Sequence, residues 1–114
     1  MDQIALQIAK KRVQEGDSFA VDAYFRDRAT AAADAPTTVH FRVDCLTTGK
    51  VLADWTLAAA GESVSVLVDS AYNVIQSRCN MRERKQLTVR ADKDTSSQVS
   101  NRVIWTVRNQ DFYP

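Results

Sequence analysis

The sequence predicts an all-β protein, on three observations. Apolar and polar residues alternate with period two in seven separate segments, as they do in strands that bury one face. The gaps between these segments carry turn residues. The chain has 114 residues, 45% hydrophobic and 25% charged, enough for one domain with a self-sufficient core and too few for two. Residues 1–114 are therefore read as a single domain.

The first strand sets Ile4, Leu6 and Ile8 against Ala5 and Gln7. Glu15-Gly16-Asp17-Ser18 leads into the second, where Phe19, Val21, Ala23 and Phe25 alternate with Ala20, Asp22, Tyr24 and Arg26. Ala35-Pro36 precedes the third, in which Val39, Phe41, Val43 and Cys45 oppose His40, Arg42 and Asp44. Thr47-Thr48-Gly49-Lys50 joins it to the fourth as a tight hairpin, with Gly49 able to take a positive φ. In the fourth, Val51, Ala53, Trp55 and Leu57 take one face and Leu52, Asp54 and Thr56 the other. Ala60-Gly61-Glu62 precedes the fifth, built on Val64, Val66 and Val68. The sixth rests on Leu87, Val89 and Ala91, and the seventh on Val103, Trp105 and Val107, with the polar run 93–101 joining them. Trp55 and Trp105 both fall on inward positions and are expected to fill the core.

Two segments depart from this alternation. Residues 28–34 are alanine-rich and fit either one helical turn or a loop. In 70–84, Ala71, Val74, Ile75 and Cys79 fall at helical spacing, and Asp69 or Ser70 fits the cap. A long crossover with a short helical turn is expected there. Short strands at this spacing point to a sandwich or a small barrel.

Composition narrows the function. The formal net charge is +1, from 15 basic and 14 acidic residues, which gives no general attraction to nucleic acid or anionic membrane. The start lacks the basic and apolar regions of a secretory signal, and no stretch approaches the roughly 18 apolar residues of a membrane span. A soluble product made in the cytoplasm, complete from its initiating Met, is the expectation. Spacing leaves a Cys45–Cys79 disulfide open, and buried or half-buried free thiols are the favoured reading. The one histidine, His40, lies on the outward face of its strand, with Cys45 on the opposite face, so no Cys-His pair forms. One His and two distant Cys do not make a zinc site, and only three glycines leave no phosphate cradle. No catalytic residue, metal or cofactor is assigned, and an enzyme is not expected.

One charge cluster remains. Arg78, Arg82, Arg84 and Lys85 surround Glu83, and fit either a dock for acidic protein or phosphates, or a solvated crossover with a local ion pair. The tail residues Phe112 and Tyr113 either fold back on the domain or meet a partner.

The run Val39 to Thr56 contains Asp44-Cys45-Leu46-Thr47-Thr48-Gly49 and then Asp54-Trp55-Thr56. It resembles a hairpin of small immunoglobulin-like proteins of tailed-bacteriophage virions and prophages. Ala71 to Gln76, followed by Arg82 to Ala91, looks like the crossover and sixth strand of the same family. The resemblance implies an immunoglobulin-like (fibronectin III-like) β-sandwich of about seven strands with a short helical crossover. It departs from antibody domains, whose second strand carries Cys and third Trp; here Trp55 lies on the fourth.

The resemblance further implies a non-enzymatic virion structural protein, made in the host cytoplasm. A capsid decoration or cement protein is expected, bound to the major capsid protein and to copies of itself, with no membrane or specific nucleic-acid partner. A head–tail connector or tail adaptor is the alternative, and a host-surface or carbohydrate-binding module, using Tyr24, Tyr72 or Tyr113, a third. The expected contact residues are Ile4, Leu6 and Ile8, whose strand is able to pair with a neighbour's sheet edge, together with Arg78, Arg82, Arg84, Phe112 and Tyr113.

Overall fold

Val21, Ala23 and Phe25 on one strand and Leu87, Val89 and Ala91 on another are sealed from solvent, and the two sets belong to different sheets that share one core. The computed structural model describes residues 3–8, 12–93 and 98–112. Among them run β1 (Gln3–Ile8), β2 (Arg12–Gln14), β3 (Phe19–Arg26), β4 (Thr38–Cys45), β5 (Val51–Ala58), β6 (Ser63–Val68), β7 (Arg82–Asp92) and β8 (Gln98–Arg108). One sheet has the order β1-β3-β6 and the other β2-β8-β7-β4-β5. Hairpins join β4 to β5 and β7 to β8, while β3–β4, β5–β6 and β6–β7 cross between sheets. Two packed sheets of three and five strands make the expected β-sandwich.

The strand count rises to eight because the N-terminal stretch contributes to both sheets. β1 pairs antiparallel with β3 along its full length, and β2 pairs parallel with β8. With only Val13 buried, β2 is too short to announce itself by alternation. β1 thus belongs to its own sheet: Ile4 is buried, and Leu6 and Ile8 pack partly against the core. These three side chains serve the protein's own core, while β1 remains an outer strand of its sheet.

β5 also departs from its sequence reading. Phe41 pairs with Thr56 and Val43 with Ala53, so two residues of β5 oppose one of β4; the same happens again between Ala53 and Val51. Each extra residue flips the faces that follow. Leu52, Ala53 and Ala58 pack inward, whereas Trp55 and Leu57 emerge on the outside. Trp105 does fill the core. Its Nε1 donates to Asn73 Oδ1 at 2.7 Å, and Phe19 meets it edge to face at 5.2 Å.

Gly49 takes φ 77° in the β4–β5 turn, where its N–H bonds the Cys45 carbonyl. Residues 28–34 are a loop, with Ala31 at φ 59° donating to the Asp27 carbonyl. In the crossover, Asp69 caps one 3-10 turn, Ser70–Tyr72. Beyond it the helical spacing is not used: Ile75 enters the core, and Val74 and Cys79 are exposed. Both cysteines are free, Cys45 buried and Cys79 exposed, so the expectation of two covered thiols fails at Cys79. That thiol is expected to react at once with a disulfide reagent while Cys45 waits for unfolding, which a two-phase thiol titration reads.

What shapes the crossover is a buried charge pair. Glu83 and Lys85 occupy successive inward positions of β7 and are wholly enclosed. Glu83 accepts from the backbone N–H of Gln76 at 2.6 Å and of Ser77 at 3.0 Å. It also accepts from Asn80 Nδ2 at 2.9 Å and Lys85 Nζ at 3.1 Å. Lys85 donates in turn to the Val74 carbonyl at 2.9 Å. Burial pushes the Glu83 carboxyl up, but the bonds from Gln76, Asn80, Ser77 and Lys85 outweigh it and hold its pKa below the ordinary 4.5. Ionised Glu83 therefore contributes fully above pH 4.5, and that stability is lost as the pH falls through the lowered native value. Glu83→Gln is expected to cost about 3–5 kcal/mol at neutral pH, because Lys85 is left buried without its counter-charge. Urea titrations of wild type and variant from pH 7 downward check this: the acid-side slope should be shallower in the variant.

Candidate docking surface

The outer face of the five-stranded sheet gathers most of the unusual side chains. On β7 the outward residues are Arg82, Arg84, Gln86, Thr88, Arg90 and Asp92, alternating with the buried set. Arg82 lies opposite Arg108, which is flanked by Gln14, and Arg84 lies opposite Thr106, which is flanked by Arg12. Three strands thus bring four guanidinium groups and no carboxylate into a block of six positions. No ion pair engages Arg12, Arg82 or Arg84 among the described residues.

The acids of this face are already engaged: Asp44, opposite Gln86 and so diagonal to Arg84, is held by Arg42 at 3.0 Å, and Asp92, at the far end of β7, accepts from Thr38. Along β7, about 20 Å from Arg84 at ~3.3 Å per residue, Arg90 lies against Trp55, its Cζ 4.4 Å from the ring centroid. Beside it, Leu57 pairs with His40 and is 66% exposed. His40 faces outward as its strand parity requires. The face therefore offers a cationic block at one corner and an indole with an isobutyl group at the other.

Of the basic residues singled out from sequence, Arg82 and Arg84 are exposed here. Arg78 is half exposed but already engaged in ion pairs within the chain. It is bound to Glu15, to Asn109 Oδ1 at 2.7 Å and to Asp111 Oδ2 at 2.7 Å. Those two carboxylates raise its pKa. Burial pushes Glu15 up, but the Arg78 bond and the Ile75 amide hold its carboxyl below the ordinary value. Arg78 ties the crossover to the start and end of the chain. Phe112 is exposed in a turn closed on Asn109, and Tyr113 lies outside the described residues.

Arg12, Arg108 and the outward Trp55 were not found from sequence. Arg12 enters through the parallel pairing of β2 with β8, Arg108 through its pairing with Arg82 across the β7–β8 hairpin, and Trp55 through the bulges. Among the described residues no group of His, Cys, Asp and Glu side chains could hold a metal ion, and no helix is long and apolar enough to cross a membrane.

The fold and this face define a β-sandwich with an arginine-rich, aromatic-edged sheet surface. No family model matches the sequence, and no curated protein matches it significantly.

The two indoles should report their opposite settings. Iodide is expected to quench Trp55 and to spare Trp105, so Trp55→Phe removes the quenchable fluorescence. The same substitution should cost less than about 1 kcal/mol, the scale of an exposed cation–π contact, against about 3–5 kcal/mol for Trp105→Ala.

Proposed function

We propose that this protein is a non-enzymatic structural component of a tailed-bacteriophage virion. It acts as a capsid decoration or cement protein, docking on the major capsid protein through the outer face of its five-stranded sheet. The observation that carries the docking is the block Arg12, Arg82, Arg84 and Arg108, presented with Trp55 on one rigid surface. Arginine and tryptophan are the side chains that most often dominate binding energy at protein interfaces. A sheet face also orders few additional groups on binding, which keeps the entropic cost low. The cationic corner favours an acidic patch on the partner and steers its approach.

The virion setting is supported by the resemblance of the Val39–Thr56 run, which is the β4–β5 hairpin. Its Asp54-Trp55-Thr56 segment is the bulged stretch that turns the indole outward. The residues that carry the resemblance thus include the exposed tryptophan.

Quantitative mass spectrometry of purified particles is the test of setting. A copy number near that of the major capsid protein, or a simple lattice fraction of it, is expected. A ratio of a few per cent moves the protein to the connector or tail, and its absence from particles removes the virion reading. For the docking face, the double charge reversal Arg82→Glu/Arg84→Glu should weaken binding to undecorated capsids by at least about tenfold. Both side chains are exposed and make no ion pair among the described residues, so the double substitution should change stability by less than about 0.5 kcal/mol. Undiminished binding would exclude the arginine corner.

A further inference from the structure

Open sheet edges invite pairing with other chains, and folded proteins blunt them. Two of the four edges in this sandwich are blunted, and a third is partly engaged. β2 is three residues long. On β5, next to a bulge, the Asp54 carboxylate takes the Trp55 N–H at 2.8 Å and the Thr56 hydroxyl takes the Asp54 carbonyl at 2.8 Å. On β1 the outward carbonyl of Ile4 is taken by Asn101 Nδ2 at 2.9 Å.

β6 has none of these devices. Its sequence, Ser63-Val64-Ser65-Val66-Leu67-Val68, carries no charge and no proline, and its pairing with β3 has no bulge. The bond from Phe25 N–H to the Glu62 carbonyl sets the phase of that ladder. By antiparallel alternation, Val64, Val66 and Val68 then bond to β3, and the backbone groups of Ser63, Ser65 and Leu67 point outward. Nothing in the described chain covers that edge. Leu67 is 62% exposed, and an open groove of about 460 Å³ runs alongside, lined by Phe41, Ala58, Val64 and Val66 among others.

We propose that β6 pairs edge to edge with β6 of a second copy, antiparallel about a two-fold axis through Ser65. The occupant follows from the match of the edge to itself. In that register Ser63 lies opposite Leu67 of the partner subunit, and Ser65 opposite Ser65 of the partner subunit. About six backbone hydrogen bonds form, two for each opposed pair. No charge meets a like charge, valine meets valine over the groove, and the segment is the same length on both sides. Of the other edges of a second copy, β2 is too short, β5 is bulged, and β1 has its Ile4 carbonyl taken by Asn101. The product is a six-stranded sheet, β1-β3-β6-β6-β3-β1, with both arginine-rich faces left uncovered on the opposite layer. This pairing does not depend on the docking reading, since a chain that never meets a capsid is equally able to dimerise through β6.

The test is analytical ultracentrifugation of the purified chain over a range of concentrations, for wild type, Ser65→Pro and Leu67→Lys. Proline at 65 removes the central outward N–H and is tolerated on an edge strand. Lysine at 67 adds a charge that meets no partner. The expected result is a wild-type dimer whose dissociation constant rises at least about tenfold in each variant, with circular dichroism unchanged. If Ser65→Pro fails to fold, Leu67→Lys carries the test alone. A wild type that stays monomeric at millimolar concentration overturns the proposal, as does a dimer that survives both substitutions. Arg82→Glu/Arg84→Glu should dimerise like wild type, which separates this interface from the docking face.

Discussion

Glu83 and Lys85 sit on neighbouring inward positions of β7, sealed from water, and the conformation of the 69–81 crossover follows from satisfying them. A buried carboxylate needs several donors and a buried ammonium needs acceptors, or the cost of dehydration destroys the fold. β7 cannot supply them, because its own backbone groups are used in the ladders to β4 and β8. The crossover supplies them instead, turning two amides, one carbonyl and the Asn80 side chain inward. A segment with helical spacing in its sequence is thereby held as an irregular plug over one end of the sandwich. Asn73 and Asn109 continue the network to Trp105, Asp17 and the 78–80 backbone, and Arg78 locks its rim. The polar end of the core thus fixes where the chain enters β3 and where it leaves β8.

That plug has a consequence for the outer face. β7 alternates strictly, so placing Glu83 and Lys85 inside places Arg82 and Arg84 outside, at the same end of the sheet. The cationic corner and the buried pair are two sides of one four-residue stretch. The local packing is rigid beneath the arginines, so a partner meets groups whose backbone is already fixed. Arg12, Arg82 and Arg84 make no ion pair among the described residues, and polar groups left unused by the fold are where a partner is able to bind.

Much of the fold was legible because parity is a local property. The inward residues of β3, β4 and β8 follow from alternation alone, and β6 and the Gly49 turn follow with them. β5 was not legible, since a bulge is specified by the partner strand and a two-residue period has no way to display it. Glu83 and Lys85 carry the correct parity with Leu87, Val89 and Ala91, and extending that alternation backward would have placed them inside. Their charge concealed them, because burial of an ionic pair depends on how the crossover folds to bring the Gln76, Ser77 and Asn80 donors to it. The docking corner was half visible: Arg82 and Arg84 stand in a conspicuous run, whereas Arg12 and Arg108 join them only through strand pairing.

The split of the N-terminal stretch between two sheets has a mechanical side. Ile4 is bonded to Asn101, near the start of β8, and Val13 is paired with Val107, near its end. The stretch therefore travels in the same direction as β8, and Gln3 and Phe112 lie toward opposite ends of a molecule 47 Å long. Tension between those two points pulls β2 and β8 lengthwise past each other. In that geometry the bonds between them share the load and break together, where a hairpin pulled from its open end gives way one bond at a time. Forced unfolding is governed by the rate of crossing that barrier and not by equilibrium stability, so bracing along the long axis does not require high equilibrium stability.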